Sequence, residues 1–166
     1  MTIQLRPAKP SDVRNLASLI EPYAARRILI SKELISYFED VQEFTVAADG
    51  NRLVGCGALH VLWDDIAEVR TLAVSGEVLG TGVGHQLLTR LEARAREMGL
   101  KRLFCLTFEV DFFTRHGFRV IEGTPVGTDV YQELLRSHDD GVAEFLDLAK
   151  VKPNTLGNTR MLKELY

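Results

Sequence analysis

Residues 68–99 constrain the fold more than any other stretch. EVRTLAV, residues 68–74, has the apolar and β-branched content of a strand. LGTGVG follows at residues 79–84, with glycines at every second position, Gly80, Gly82 and Gly84. The chain then enters an amphipathic run in which Leu87, Leu88, Leu91, Ala95 and Met98 recur at helical spacing, and Gly99 supplies a stop. A strand, a glycine loop and a helix in that order aim unpaired N–H groups and the positive helix end at whatever lies above the loop. Phosphate is the usual guest of such an arrangement. The competing reading is a glycine-rich turn with no ligand. A Walker loop is excluded, because His85-Gln86 follows Gly84 where Lys-Ser/Thr would be needed. A dinucleotide fingerprint starting at Gly80 would require glycine at position 85, which is His85.

At 166 residues the chain is long enough for one domain with a sizeable core, and a net charge of −3 makes no case for nucleic acid as a partner. No apolar run approaches membrane-spanning length, and no signal-peptide pattern opens the sequence. Cys56 and Cys105 sit inside apolar strand-like runs, which favours buried free thiols and a reducing cytoplasm. No metal-ligand spacing is found among the four histidines and two cysteines.

In chain order, residues 3–6 read as a strand. Ser11 or Asp12 caps a helix with Val13, Leu16, Leu19 and Ile20 on its apolar face, and Pro22 is expected to end it. Ser31 is expected to cap a second helix that buries Leu34, Ile35 and Phe38. Residues 43–48 and 52–62 form a hairpin around Asp49-Gly50, and the small residues Gly55, Cys56, Gly57 and Ala58 permit close packing. The meander continues through residues 67–74. After the glycine loop and its helix, KRLFCLTF at 101–108 is a buried strand, parallel to its predecessor because a helical crossover joins them. A short helix at 110–116, a strand from Gly117-Phe118, a mainly helical insert over about 125–152 and a last strand at 161–165 complete a mixed α/β pattern.

The loop Leu79-Gly80-Thr81-Gly82-Val83-Gly84 resembles the pyrophosphate loop of the GCN5-related N-acetyltransferases, Q/R-x-x-G-x-G/A, with Leu79 departing at the first position. DFFTRHGF at 111–118 resembles that family's F-Y-x-x-x-G-F element. The likeness is closer still to the acetyltransferase domain of bacterial N-acetylglutamate synthases, the first enzymes of arginine biosynthesis. It is carried by LVGCGAL at 53–59, RLFCLTF at 102–108, ILISKELI at 28–35 and GNTRML at 157–162. The short, stand-alone forms without a kinase domain are the nearest type. The resemblance implies a mostly antiparallel sheet flanked by helices, with one parallel strand pair splayed to admit acetyl-CoA. It implies no metal, a small amino-acid substrate, a cytoplasmic enzyme and a homodimer as the family expectation.

Acetyl transfer to an α-amine needs a proton acceptor, because protein α-amino groups titrate near ~8 and a free amino acid higher. Glu68, on the strand beside the expected gap, is the first candidate base, and His60, on the neighbouring strand, is the second. The alternative for Glu68 is a carboxylate paired with Arg70, and for His60 a structural histidine. The resemblance assigns cofactor contacts to Leu72, Ala73 and Val74, whose strand offers an N–H to the thioester oxygen. It also assigns them to Leu79, Gly80, Thr81, Gly82, Val83, Gly84 and His85 of the loop, and to Phe112 and Phe113. Phe113 stands where many relatives carry a tyrosine acid. Cations for the acceptor's carboxylate are sought in Arg70, which shares a strand face with Glu68, and in Arg26, Arg27 and Lys32. Asn158, Thr159 and Arg160 align with the family's C-terminal substrate segment. Gly157 falls where that segment carries an arginine, which leaves glutamate and glutamine both open as acceptors. Other readings are acetylation of another small amine or a protein N-terminus, or a catalytically silent sensor of acetyl-CoA or an amino acid.

Overall fold

A computed structural model describes residues 2–29, 32–147 and 157–166. Seven strands form one sheet: β1 (Ile3–Pro7), β2 (Phe44–Asp49), β3 (Arg52–Val61), β4 (Ile66–Val74), β5 (Arg102–Thr107), β6 (Arg119–Val120) and β7 (Thr159–Glu164). Among the described residues six α-helices accompany them: α1 (Val13–Ala25), α2 (Leu34–Glu39), α3 (Val83–Glu97), α4 (Val110–Arg115), α5 (Thr128–Leu134) and α6 (Asp140–Phe145). The strand order is β1-β2-β3-β4-β5-β7-β6. All neighbours pair antiparallel except β4 and β5, which are parallel and joined through α3, as a helical crossover requires. Among the described residues no helix is long and apolar enough to cross a membrane.

Alternation along the strands sends side chains to two covered faces. On one, Leu88, Leu91 and Ala95 of α3 pack on Leu59, Ala67, Val69, Leu103 and Cys105. Gly55 and Gly57 of β3 let α3 come this close. A Cβ on Gly55 would lie 2.9 Å from Leu87 Cδ1, and one on Gly57 would lie 2.9 Å from Leu91 Cδ1. On the other face, α1 covers β2 and β3 through Val13, Leu16 and Ile20, while Phe145 and Leu146 at the end of α6 cover Ile66 and Phe104. Both cysteines are free and buried.

Several local expectations are corrected. α1 runs through Pro22 to Ala25, because a proline in the last turn costs little of the hydrogen-bond ladder; the N–H of Arg26 still donates to the Pro22 carbonyl. α2 buries Tyr37 against Phe44, with ring centroids 6.3 Å apart, and leaves Leu34, Ile35 and Phe38 exposed. Its expected cap, Ser31, lies outside the described residues. Met98 is exposed because α3 ends at Glu97, before the apolar stripe returns to the sheet.

β1 is fastened to the start of α1 by Arg6, whose Nη1 and Nη2 donate to Asp12 at 2.7 and 2.9 Å, while Asp12 also accepts the Lys9 N–H. The hydrogen bond from Arg6 holds the Asp12 carboxyl below its usual range, against the burial that would raise it. A lowered carboxyl pKa adds stability above the ordinary Asp value of ~3.9, and that stability is lost as pH falls through the folded value. Asp12→Asn is therefore expected to cost about 1.5–3 kcal/mol at pH 7 in urea unfolding. Wild type and variant should converge once the pH falls below the folded value; a difference that persists there would assign the loss to packing.

Candidate functional site

The parallel pair β4 and β5 is bonded over only three positions, Ile66 with Arg102, Ala67 with Leu103 and Glu68 with Phe104. Beyond Glu68 the two strands separate, so residues 69–74 and 105–107 leave a gap in the middle of the sheet. β4 carries an irregularity just there, for its register with β3 shifts between Cys56 and Ala58. Thr71 sits opposite that shift with φ at 55°, a costly conformation for a β-branched residue. Such a bulge bends its strand. Residues 69–74 thus offer the gap an edge with main-chain groups free on one side. The Val74 carbonyl at its end accepts the Tyr23 hydroxyl of α1 at 2.5 Å, a contact with no local sequence signal.

The glycine loop closes one mouth of the gap. Gly80 and Gly82 have φ of 77° and 90°, and nothing lies within 4 Å of where a Cβ would stand on either. The backbone there is left-handed and open above, and Gly82 caps α3. The first N–H groups of α3, at Val83, Gly84 and His85, have no intrahelical acceptor and point the same way. Leu79 is exposed, and the Thr81 hydroxyl turns back to the Val78 carbonyl at 2.5 Å. Phe112 of α4 lies against Gly84 and its ring is tilted against that of His85 with centroids 4.6 Å apart, and His85 in turn meets His116 with Nδ1 to Nε2 at 2.6 Å. Phe113, expected beside the cofactor, is a core residue edge-on to Phe118 at 5.1 Å.

The opposite face of β4 carries a buried ionic cluster. Glu68 and Arg70 point the same way, and Arg70 Nε donates to Glu68 Oε1 at 2.7 Å. Arg70 Nη2 lies 2.9 Å from Asp139 Oδ1, off the line of a hydrogen bond, so that contact is ionic. Asp139 caps α6, accepting the Val142 N–H at 2.9 Å. Gly141 lies on the guanidinium so closely that a Cβ would stand 2.5 Å from Arg70 Cζ. Burial opposes the charge on Arg70, yet Glu68 and Asp139 hold its pKa above the ordinary value. Burial pushes the Glu68 carboxyl up despite Arg70, whereas at the partly exposed Asp139 the pull of Arg70 outweighs burial and holds the carboxyl down.

Arg160 of β7 fastens the insert from its other end. Its Nε donates to the Gly123 carbonyl at 2.9 Å, Nη1 to the Glu144 carbonyl at 3.1 Å and Nη2 to the Phe145 carbonyl, with Cζ 5.0 Å over the Phe104 ring. His60, beside Glu68 in the β3–β4 register, meets both carboxylate oxygens of Glu43 through Nδ1 at 3.0 and 3.1 Å. Lys32 is 3.8 Å from Asp40. Arg26 and Arg27 are exposed after α1, and Thr159 pairs with Thr107 beside Asn158.

The structure therefore gathers Glu68, Arg70, His60 and Arg160 on one side of the sheet and the glycine loop with Phe112 and His85 at the gap. It commits Arg70, expected to hold a substrate carboxylate, to two carboxylates of its own. Asp139, Gly141 and Glu144 of the insert were not singled out from sequence; an Asp-Asp-Gly start to a short helix carries no signal for a partner on a distant strand.

Removing Arg70 leaves Glu68 buried without its counter-charge. Arg70→Ala is expected to cost about 3–5 kcal/mol in equilibrium unfolding, and Glu68→Leu with Arg70→Met to recover much of it. A loss below about 1 kcal/mol, the scale of a solvent-exposed pair, would contradict a buried clasp.

Comparison with known proteins fits this geometry. Residues 12–118 match the acetyltransferase (GNAT) family. The chain is 53% identical over 161 residues to an amino-acid acetyltransferase of Mycobacterium tuberculosis, covering 95% of this chain and 92% of that protein. It is 38% identical over 116 residues to an amino-acid acetyltransferase of Ralstonia nicotianae, covering 69% of this chain but 26% of that longer protein. The crystal structure of Rv2747 from M. tuberculosis, in complex with CoA and NLQ, matches with a TM-score of 0.93 at 52% identity, over 98% of this chain and 99% of that one. N-acetylglutamate synthase from Neisseria gonorrhoeae, complexed with coenzyme A and N-acetyl-glutamate, has the same fold at 23% identity and a TM-score of 0.79, over 100% of this chain and 36% of that one. With the match running through the parted strands and the glycine loop alike, the chain belongs to the acetyltransferase (GNAT) family.

Proposed function

We propose that this chain transfers the acetyl group of acetyl-CoA to the α-amine of glutamate or glutamine, the opening step of arginine biosynthesis. The observation that carries the reading is the gap between β4 and β5, with the open glycine loop at one mouth and the ionic cluster on the face behind it. A relative that is 53% identical over nearly the whole chain is an amino-acid acetyltransferase, which supports the acceptor class. The site residues fit acetyl-CoA. The loop at residues 80–84 would cradle the pyrophosphate, and the free edge of Leu72, Ala73 and Val74 would pair with the pantetheine amides. An N–H of that edge would stabilise the negative charge that grows on the thioester oxygen during attack. Phe112 would flank the cofactor at Gly84.

The acceptor enters from the other face, between α1–α2, α6 and the start of β7. Arg26, Arg27 and Lys32 on one side and Asn158 and Thr159 on the other are the groups we place nearest its carboxylates, since Arg70 and Arg160 are engaged. Phe113 supplies no acid, so the thiolate leaves toward water and the positive end of α3. Two buried free thiols suit the cytoplasm, where we place the enzyme.

Thiol release from acetyl-CoA, measured against all twenty amino acids, is expected to be selective for glutamate or glutamine. Binding without thiol release would replace the enzyme by a sensor, and turnover confined to other amines would replace the acceptor. Gly82→Asp, which adds a Cβ and a negative charge at a left-handed position facing phosphate, is expected to abolish acetyl-CoA binding in calorimetry while circular dichroism stays unchanged. Undiminished affinity would remove the loop from the site.

A further inference from the structure

We infer that acetyl-CoA binds with uptake of a proton onto His85, and that His116 and Glu92 are the positioning residues for that imidazole; the inference rests on the acetyltransferase reading. His85 is the third residue of α3 and is exposed beside the glycine loop. Its ring and Gly84 both lie against Phe112. His85 Nδ1 meets His116 Nε2 at 2.6 Å. The ring centroids are 4.9 Å apart and the planes differ by 21°, so the two imidazoles meet nitrogen to nitrogen along their edges. One nitrogen of that contact carries the proton and the other accepts it.

Glu92 decides which. On the far side of His116, Nδ1 lies 3.9 Å from Glu92 Oε1. Glu92 is 6% exposed, and its Oε1 is buried without a hydrogen-bond partner among the described residues. The other oxygen, Oε2, receives Lys163 Nζ of β7 at 2.9 Å and lies 4.0 Å from Arg96 Nη1 of α3. A buried carboxylate oxygen facing a ring nitrogen favours N–H there over a bare lone pair. With Nδ1 protonated, neutral His116 keeps its lone pair on Nε2 and accepts the Nδ1–H of His85. That leaves a free lone pair on His85 Nε2, at the outer end of the line Glu92, His116, His85. Burial lowers the His116 pKa, the charges of His85 and Lys163 act the same way, and Glu92 opposes them. His116 therefore stays neutral, and an added proton goes to His85. Arg90 of α3 lines the same surface hollow as His85.

Phosphate arriving at the loop and at the first N–H groups of α3 brings negative charge beside His85. A proton from solvent bonds to the Nε2 lone pair. The imidazolium then donates Nε2–H to a phosphate oxygen and Nδ1–H to His116. When the cofactor leaves, that proton returns to solvent. The pyrophosphate is the partner assigned, because it is the group the loop would cradle; the ribose phosphate of the cofactor is the competing source of charge. A group whose pKa is higher in the complex than in the free protein strengthens binding below its free value, and the gain is lost as pH rises through the value in the complex.

The test is calorimetry of acetyl-CoA binding without acceptor, in buffers of different ionisation heat, at about pH 7.5, above the ordinary histidine value of ~6.5. Wild type is expected to take up protons on binding. Dephospho-CoA, which lacks the ribose phosphate and keeps the pyrophosphate, should show the same uptake. His85→Gln is expected to bind acetyl-CoA about 10–100-fold more weakly where histidine is charged, and to show no uptake. His116→Gln still offers His85 an acceptor but cuts the link to Glu92; its uptake should shrink while its unfolding midpoint stays unchanged. Titration of the imidazole resonances in wild type carries the test if the variants do not fold: with acetyl-CoA bound, one of the four histidines should stay charged to higher pH. A binding heat independent of buffer overturns the inference. So does uptake that survives undiminished in His85→Gln or His116→Gln, or that disappears with dephospho-CoA. Wild type that fails to bind acetyl-CoA at all overturns the acetyltransferase reading instead.

Discussion

Two adjacent parallel strands that stop bonding after three residue pairs leave main-chain groups without partners in the centre of a sheet. An unpaired buried peptide group is expensive, so the arrangement persists only if something else enters the gap or water reaches it. The separation follows from β4, where the bulge at Thr71 bends the strand away just past Glu68. The strain at Thr71, of order 1–3 kcal/mol, is borne by the packing of α3 behind the strand and of α1 in front of it. The rest of the site is arranged around this edge. The loop with Gly80 and Gly82 lies at one mouth, and the buried carboxylates and guanidiniums lie behind it.

The ionic cluster has two roles that pull against each other. A buried ion pair is weak evidence for stability, since desolvation offsets most of the attraction. Here Arg70, held by Glu68 on its own strand, joins β4 to the insert through Asp139, the cap of α6, and Arg160 joins β7 to the same helix. The charges thus specify where the insert sits, because a purely apolar contact would tolerate sliding. Holding α6 in place also covers Glu144, and burial, followed by the nearby charge of Glu68, pushes its carboxyl up to about 8.

The sheet, its parallel crossover and the loop were legible because they rest on local pattern. Apolar alternation marks the strands, Gly80, Gly82 and Gly84 mark the turn, and Leu87, Leu88, Leu91 and Ala95 mark the helix that packs on Gly55 and Gly57. The matched parity of Glu68 and Arg70 was also legible, and it turned out to describe a pair bonded to each other. What could not be read was long-range: the partnership of Arg70 with Asp139, 69 positions later in the chain, the seating of Gly141 on a guanidinium, and the turn of Tyr37 rather than Phe38 into the core. Those depend on how elements dock, and a single sequence records only which residues are able to dock.

The claim that a cofactor completes the parted sheet is tested most directly by amide hydrogen exchange with and without acetyl-CoA. The account predicts that bound acetyl-CoA slows exchange at amides within residues 69–74 of β4 and within the loop at residues 80–84, while β1, β2 and β6, remote from the gap, keep their rates. Saturating acetyl-CoA that leaves β4 and the loop unprotected, or protects some other part of the molecule, would contradict it.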